Sequence, residues 1–161
     1  MSPRAAWRLE SLGFAKVYDY VAGKADWGAA GLPLEGTAGP YAGEHARVDV
    51  PTCRLHDRLT DVRLQVSRNG WDTCIVVNDQ NVVLGRLGRR TLQASDDLTV
   101  EQAMSAGPGT IRPNVELATI TQRLRDKNVT SALVTRSDGT LVGLLSRTDA
   151  EQALGNTVNK S

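Results

Sequence analysis

The feature that most constrains this chain is an internal repeat. Laying Gly85 on Gly143, an offset of 58 residues, superposes two stretches without a gap. Thr52 then falls on Thr110, Arg54 on Arg112, Leu59 on Leu117, Val76 on Val134, Leu87 on Leu145 and Arg89 on Arg147. Apolar character matches more widely: Cys53 with Ile111, Val62 with Ile120, Val66 with Leu124, Ile75 with Leu133. A repeat at one fixed period is the mark of a duplicated supersecondary unit.

The second copy shows what the unit is. Thr110-Ile111-Arg112 is a short extended entry ended by Pro113. Asn114 is placed to cap a helix, since its side chain accepts from free N–H groups. Leu117, Ile120 and Leu124 recur at helical spacing, and Asn128 closes the helix. Ser131 to Thr135 is a strand, Ser137-Asp138-Gly139 a tight turn, and Thr140 to Leu145 the return strand. A last helix opens at Ser146-Arg147-Thr148-Asp149.

The first copy follows the same plan. Asp57 or Thr60 opens a helix with Leu59, Val62 and Val66, ended by Asn69-Gly70. Cys74 to Val77 and Val82 to Leu84 are strands around an Asn78-Asp79-Gln80-Asn81 turn, and a helix follows from about Arg89. Thr99 to Met104 reads as a short connecting helix. The expected class is α/β (α+β): two tandem β-α-β-β-α units.

Charge and composition exclude several functions. Nineteen basic and 18 acidic residues give a formal net charge of +1. Nucleic-acid and membrane surfaces call for clustered positive excess, so neither is an expected partner. No apolar run reaches the roughly 18 residues of a membrane span, and Arg4, Arg8 and Glu10 interrupt any leader-like stretch. A cytoplasmic protein is expected. Cys53 and Cys74 form no C-x-x-C, and His45 and His56 are the only histidines. A metal site is not expected; both cysteines read as buried free thiols. No phosphate loop of the Gly-x-x-x-x-Gly-Lys type and no Ser/His/Asp arrangement occurs.

Two runs, Thr140-Leu-Val-Gly143-Leu-Leu-Ser146-Arg-Thr-Asp149 and Val100-Glu-Gln-Ala-Met104, resemble the signature of the CBS (cystathionine-β-synthase) domain. The resemblance covers about residues 47–155, with copies at 47–98 and 99–158. It implies two repeats packed sheet to sheet about a pseudo-two-fold axis and modules that pair into a homodimer. It also implies clefts for an adenine nucleotide (AMP, ADP or ATP) or S-adenosylmethionine. The module would be non-catalytic, with no required cofactor and a regulated partner still unidentified.

Ser146 and Asp149 carry two readings. One is a capping box, in which Ser146 accepts from the N–H of residue 149 and Asp149 reaches back. The other is a ligand grip: free N–H groups at a helix start attract phosphate, and a carboxylate accepts from two ribose hydroxyls. Arg147 and Arg112 would neutralise phosphate, while Thr110 and Ser131 would face the adenine. In the first copy Gly88 and Thr91 stand where the serine and aspartate would be. Thr52, Arg54, Arg89 and Arg90 then make a weaker second site, so asymmetric occupancy is expected. Trp71 reads as a core or dimer contact, and Gly85 and Gly143 as points of close backbone approach.

Residues 1–36 have a different texture. Ala5, Ala6, Leu9 and Leu12 make an amphipathic helix stopped by Gly13; Val17 to Val21 is a short strand; Gly23 to Ala30 a second helix. The stretches Ser2-Pro-Arg-Ala-Ala6, Leu12-Gly-Phe14, Val17-Tyr18, Gly23, Trp27 and Gly31-Leu-Pro33 resemble the C-terminal third of a rhodanese domain. Sulfur transfer needs a thiolate in a loop of N–H donors, and no cysteine precedes Cys53. Either the start lies too far downstream, or the segment is a remnant kept as a packing arm. Residues 37–46 read as a linker from their Gly and Pro content.

Three functions follow. The first is a small-molecule sensor; the second, a structural dimerisation module with vestigial pockets; the third, a non-catalytic fragment of a rhodanese–CBS fusion.

Overall fold

The computed structural model describes residues 8–18, 27, 40–94 and 98–158. In the first repeat, β1 (Thr52–Cys53), β2 (Cys74–Val77), β3 (Val83–Leu87) and β4 (Ser105–Ala106) form one sheet in that order. In the second, β5 (Thr110–Ile111), β6 (Ser131–Thr135) and β7 (Leu141–Ser146) form the other. Each repeat enters through a parallel pair and leaves through an antiparallel one. The crossover helices are α1 (Leu59–Arg68) and α4 (Leu117–Asp126). The short helices α2 (Arg89–Gln93) and α3 (Val100–Ala103) and the longer α5 (Arg147–Val158) complete the chain.

The apolar periodicity buries one face of each crossover helix. Leu59, Val62 and Val66 of α1 pack with Cys53, Cys74 and Val76; Leu117, Ile120 and Leu124 of α4 pack with Ala132, Val134 and Leu145. Positive φ at Gly70 (69°) and Asn128 (50°) lets the chain leave each helix where the sequence predicts. Asn114 is a correction: α4 begins at Leu117, three residues later. The Leu117 N–H donates to the Pro40 carbonyl at 2.8 Å, and Ala42 donates to Val115. That pairing holds 113–116 extended and supplies from outside the partner that a cap would give.

The linker reading of 37–46 is also corrected for its described part. Ala42–His45 is a 3-10 turn, and Ala42 is fully buried in the second repeat's core. Arg47 then forms a reciprocal backbone pair with Leu144, at 2.9 Å each way, extending the second sheet beyond β7. Its counterpart at the same offset, Ser105 in β4, pairs with Arg86 at the edge of the first sheet. The repeats therefore exchange leading strands. Gly143 permits this, because a Cβ there would lie 2.6 Å from the Arg47 carbonyl oxygen. Gly85 plays the same part against Met104.

The sheets meet face to face. Val50, Ile75, Val77, Leu133 and Leu144 form a buried cluster between them, with Trp71, Val83 and Leu141 at its margin. Val83 N–H donates to the Gly139 carbonyl at 3.1 Å and Leu141 N–H to the Asn81 carbonyl at 2.9 Å. Residues 83 and 141, and 81 and 139, are repeat equivalents. The pair of bonds thus marks the expected pseudo-two-fold axis.

Both cysteines are free and buried in the first repeat's core. Contact with Cys53, together with burial, pushes the Cys74 thiol well above its ordinary range. The native protein should leave both thiols unmodified by an aromatic disulfide reagent and expose both on denaturation. Rapid titration of either thiol in the native state would contradict this packing.

Of the N-terminal elements, residues 8–11 are helical, and Gly13 (φ +93°) ends that turn. Val17 and Tyr18 carry no strand, and Leu12, Phe14 and Tyr18 are exposed. The rest of the proposed strand and second helix, apart from Trp27, lies outside the described residues.

Candidate functional site

The site grows from the ends of β6 and β7. Their antiparallel register sets Ser131 opposite Ser146, and opposed residues share a face. That face is turned to the first repeat, because Ser131 Oγ accepts from Arg86 Nη2 at 3.0 Å. Helix α5 starts at the next residue, and the Ser146 hydroxyl accepts from the Asp149 N–H at 3.0 Å. This is one half of the expected capping box. Among the described residues the Asp149 carboxylate makes no return bond.

Arg86 joins the repeats. Its Nε donates to Thr73 Oγ1 at 2.9 Å while its Nη2 reaches Ser131. Thr73 and Ser131 are repeat equivalents, so one half-buried guanidinium bridges the same position of both copies. Burial pushes its pKa below the ordinary arginine range, with Asp72 opposing. Arginine nevertheless stays charged at physiological pH.

The described residues line two cavities, of which the smaller includes the bridge residues Arg86 and Ser131. The smaller, about 310 Å³, is lined by Arg86, Thr110, Ser131, Arg123 and Lys127 above an apolar floor that includes Ile111 and Leu124. The larger, about 490 Å³, is lined by Arg47, Arg63, Trp71, Asp72 and Arg89 among others. Both lie within the range of small-molecule sites. The Arg47 guanidinium sits 4.2 Å from the centre of the Trp71 ring and 2.7 Å from Asp49. Its hydrogen bond to Asp49 raises its pKa first; the Asp149 charge adds to the shift. Thr110 and Ser131 line the smaller cavity, and Asp149 lines neither. The smaller cavity draws on both repeats, through Arg86 of the first; the larger is lined by the first repeat.

Other expected site residues fall elsewhere. Arg112 is a correction: its guanidinium donates to the carbonyls of Thr135 and Arg136 and to Thr135 Oγ1, at the far end of β6 from Ser131. Arg54 does the same for the Val77 and Asn78 carbonyls of β2. Both pin hairpins, since a guanidinium fork satisfies several strand-end carbonyls at once. Thr52 pairs with Ile75 in the sheet and is exposed. Arg147 donates its N–H to the Thr130 carbonyl, and its side chain is half-buried. Arg89 lines the larger cavity; Arg90 is exposed and lines neither. Trp71 is half-buried against both the first core and the cluster between the sheets. Sequence reasoning passed over Arg86. Its one signal was a charge where the second copy carries Leu144.

Among the described residues no helix is long and apolar enough to cross a membrane, and no group of His, Cys, Asp or Glu side chains gathers around a metal position. Residues 100–156 match the family model of the CBS domain. The CBS-pair protein CBSX2 of Arabidopsis thaliana, solved in complex with AMP, superposes with a TM-score of 0.67 at 17% identity, over 74% of this chain and 98% of that one. The fold is that of a CBS domain pair. The CBS domains of a Streptococcus pneumoniae transcriptional regulator give a TM-score of 0.62 at 23% identity, covering 70% of this chain and 97% of that one. The CBS pair of the protein MJ0100, in complex with 5′-methylthioadenosine and S-adenosyl-L-methionine, gives 0.63 at 12% identity, covering 73% and 97%. No curated protein matches the sequence. In this fold the run Gly143-x-x-Ser146-x-x-Asp149 spans the end of β7 and the first turn of α5.

Proposed function

We propose that this CBS pair is a non-catalytic regulatory module that takes an adenine nucleotide in the cleft between its repeats. The observation that carries the reading is the placement of Ser146 and Asp149. The serine caps α5 on the face turned to the first repeat, and among the described residues the Asp149 carboxylate makes no hydrogen bond or ion pair. A carboxylate so placed accepts from the two ribose hydroxyls, and the α5 start offers N–H groups to an anion. Thr110 and Ser131 border the adenine end, with Arg147 beside them. The likeness to CBS pairs solved with AMP and with S-adenosyl-L-methionine supports the same class of ligand. Thr52, Arg54 and Arg90 drop out of the weaker site, which Arg89 would serve alone.

Calorimetric titration with AMP, ADP, ATP and S-adenosylmethionine tests the reading. One strong site per chain is expected, and Asp149→Ala should lose affinity at least about tenfold, about 1.4 kcal/mol. Absence of binding by all four at millimolar concentration would overturn the nucleotide reading. Full affinity in the Asp149→Ala variant would remove Asp149 from the site.

Regulation requires that the ligand prefer one arrangement of the module over another. Homodimerisation is the arrangement proposed, and solution mass with and without nucleotide reads it. Residues 1–36 we read as a rhodanese-like remnant without sulfurtransferase activity. Measurable thiosulfate:cyanide turnover would reverse that.

A further inference from the structure

We propose that Arg86 reads the negative charge of the ligand, making the cleft selective for phosphorylated adenosine compounds over uncharged or cationic ones. This rests on the nucleotide reading above and narrows it. Arg86 lines the smaller cavity and reaches across to Thr73, the residue after Asp72, which lines the larger. Its present acceptors, Thr73 and Ser131, are neutral hydroxyls. Among the described residues no carboxylate forms an ion pair with it. A half-buried guanidinium hydrogen-bonded only to hydroxyls has lost water without a direct ion pair in exchange; burial depresses its pKa, and the Asp72 charge offsets this only in part. An anionic oxygen offers it a shorter, stronger hydrogen bond than a hydroxyl does.

The surroundings carry the same sign. Arg123 on α4 and Lys127 at its C-terminal cap line the smaller cavity, whose lining includes no acidic residue. Neither pairs with an acid among the described residues. The floor beneath is apolar, from Ile111, Ile120, Leu124 and Ala132. An apolar floor under a cationic rim suits a flat base bearing an anionic group. S-adenosylmethionine carries a sulfonium and an ammonium against a single carboxylate and so meets this rim with net positive charge.

The test compares AMP, adenosine and S-adenosylmethionine on the full chain, at low and at raised salt. AMP is expected to bind about tenfold or more tightly than adenosine, with S-adenosylmethionine weakest. The AMP advantage should shrink as salt rises, because charge attraction is screened. Arg86→Gln keeps a donor without the charge and should bring the AMP affinity close to that of adenosine in the same variant. Arg123→Gln/Lys127→Gln, on the exposed side of α4, should lower AMP affinity with no loss of folding. Equal binding of AMP and adenosine by the unaltered protein would overturn the inference and leave the nucleotide reading standing. A tighter S-adenosylmethionine complex would do the same. An undiminished AMP preference in a folded Arg86→Gln variant would take the role from Arg86. Failure of every adenine compound to bind would overturn both readings.

Discussion

Leu133→Ala is expected to destabilise the protein by about 3 kcal/mol, within the ~2–5 kcal/mol typical of a buried leucine. Leu133 is 1% exposed and stands between the two sheets with Ile75, Val77 and Leu144. Removing it opens a cavity where neither sheet can collapse. The turn-to-turn bonds from Val83 to Gly139 and from Leu141 to Asn81 fix their spacing. For a domain of this length the loss corresponds to a fall in Tm of roughly 6–12 °C. Thermal unfolding followed by circular dichroism reads it. A fall of under about 1 kcal/mol would mean that the sheets are not packed on each other as described. The cleft lies at the margin of the same cluster, so nucleotide affinity should weaken with the stability.

Gly143→Ala is the second large effect. The added Cβ would meet the backbone oxygen of Arg47 at 2.6 Å and the Ala46 side chain at 3.2 Å. A backbone carbonyl held in a sheet pair has nowhere to go, so the exchanged strand must shift. Overpacking of this kind costs about 1–3 kcal/mol, and the upper end is expected because Arg47 and Leu144 are bonded in both directions. Gly85→Ala is the internal control. Its new Cβ meets chiefly the flexible thioether of Met104, with the Ser105 oxygen at 3.2 Å. A methionine side chain can swing away, so about 1 kcal/mol or less is expected there. Denaturant unfolding of the two variants side by side gives the comparison. Equal losses would contradict the difference in what the exchanged strands bring to each glycine.

Much of this architecture was legible because it is local. The 58-residue offset, the apolar spacing of Leu117, Ile120 and Leu124, and the closing residues Gly70 and Asn128 each act within one element or turn. The exchange of leading strands was not legible. Arg47 and Ser105 carry no periodicity of their own, and their partners lie about a hundred and about twenty residues away in sequence. The segment around Ala42 looked like a linker because glycine and proline also permit close packing. Gly43 comes close enough to Pro113 that a Cβ would stand 2.8 Å from its ring.

Ser146 and Asp149 form a contiguous motif, and the predicted serine cap is present. Arg54 and Arg112 recur at the same position in both copies, which suggested paired phosphate clamps. Both instead bind the carbonyls that end β2 and β6. Recurrence marked a structural duty common to the repeats. Arg86 occurs once, in place of Leu144, and lines the smaller cavity while bridging the repeats. In a duplicated fold the asymmetric position was the better pointer to chemistry.

Native mass spectrometry of freshly purified protein tests the central claim most directly. The expected result is a species heavier than the 161-residue chain by one adenine nucleotide, or uptake of one AMP per chain at sub-millimolar concentration. A chain that emerges bare and stays bare in millimolar AMP, ADP, ATP and S-adenosylmethionine would contradict it.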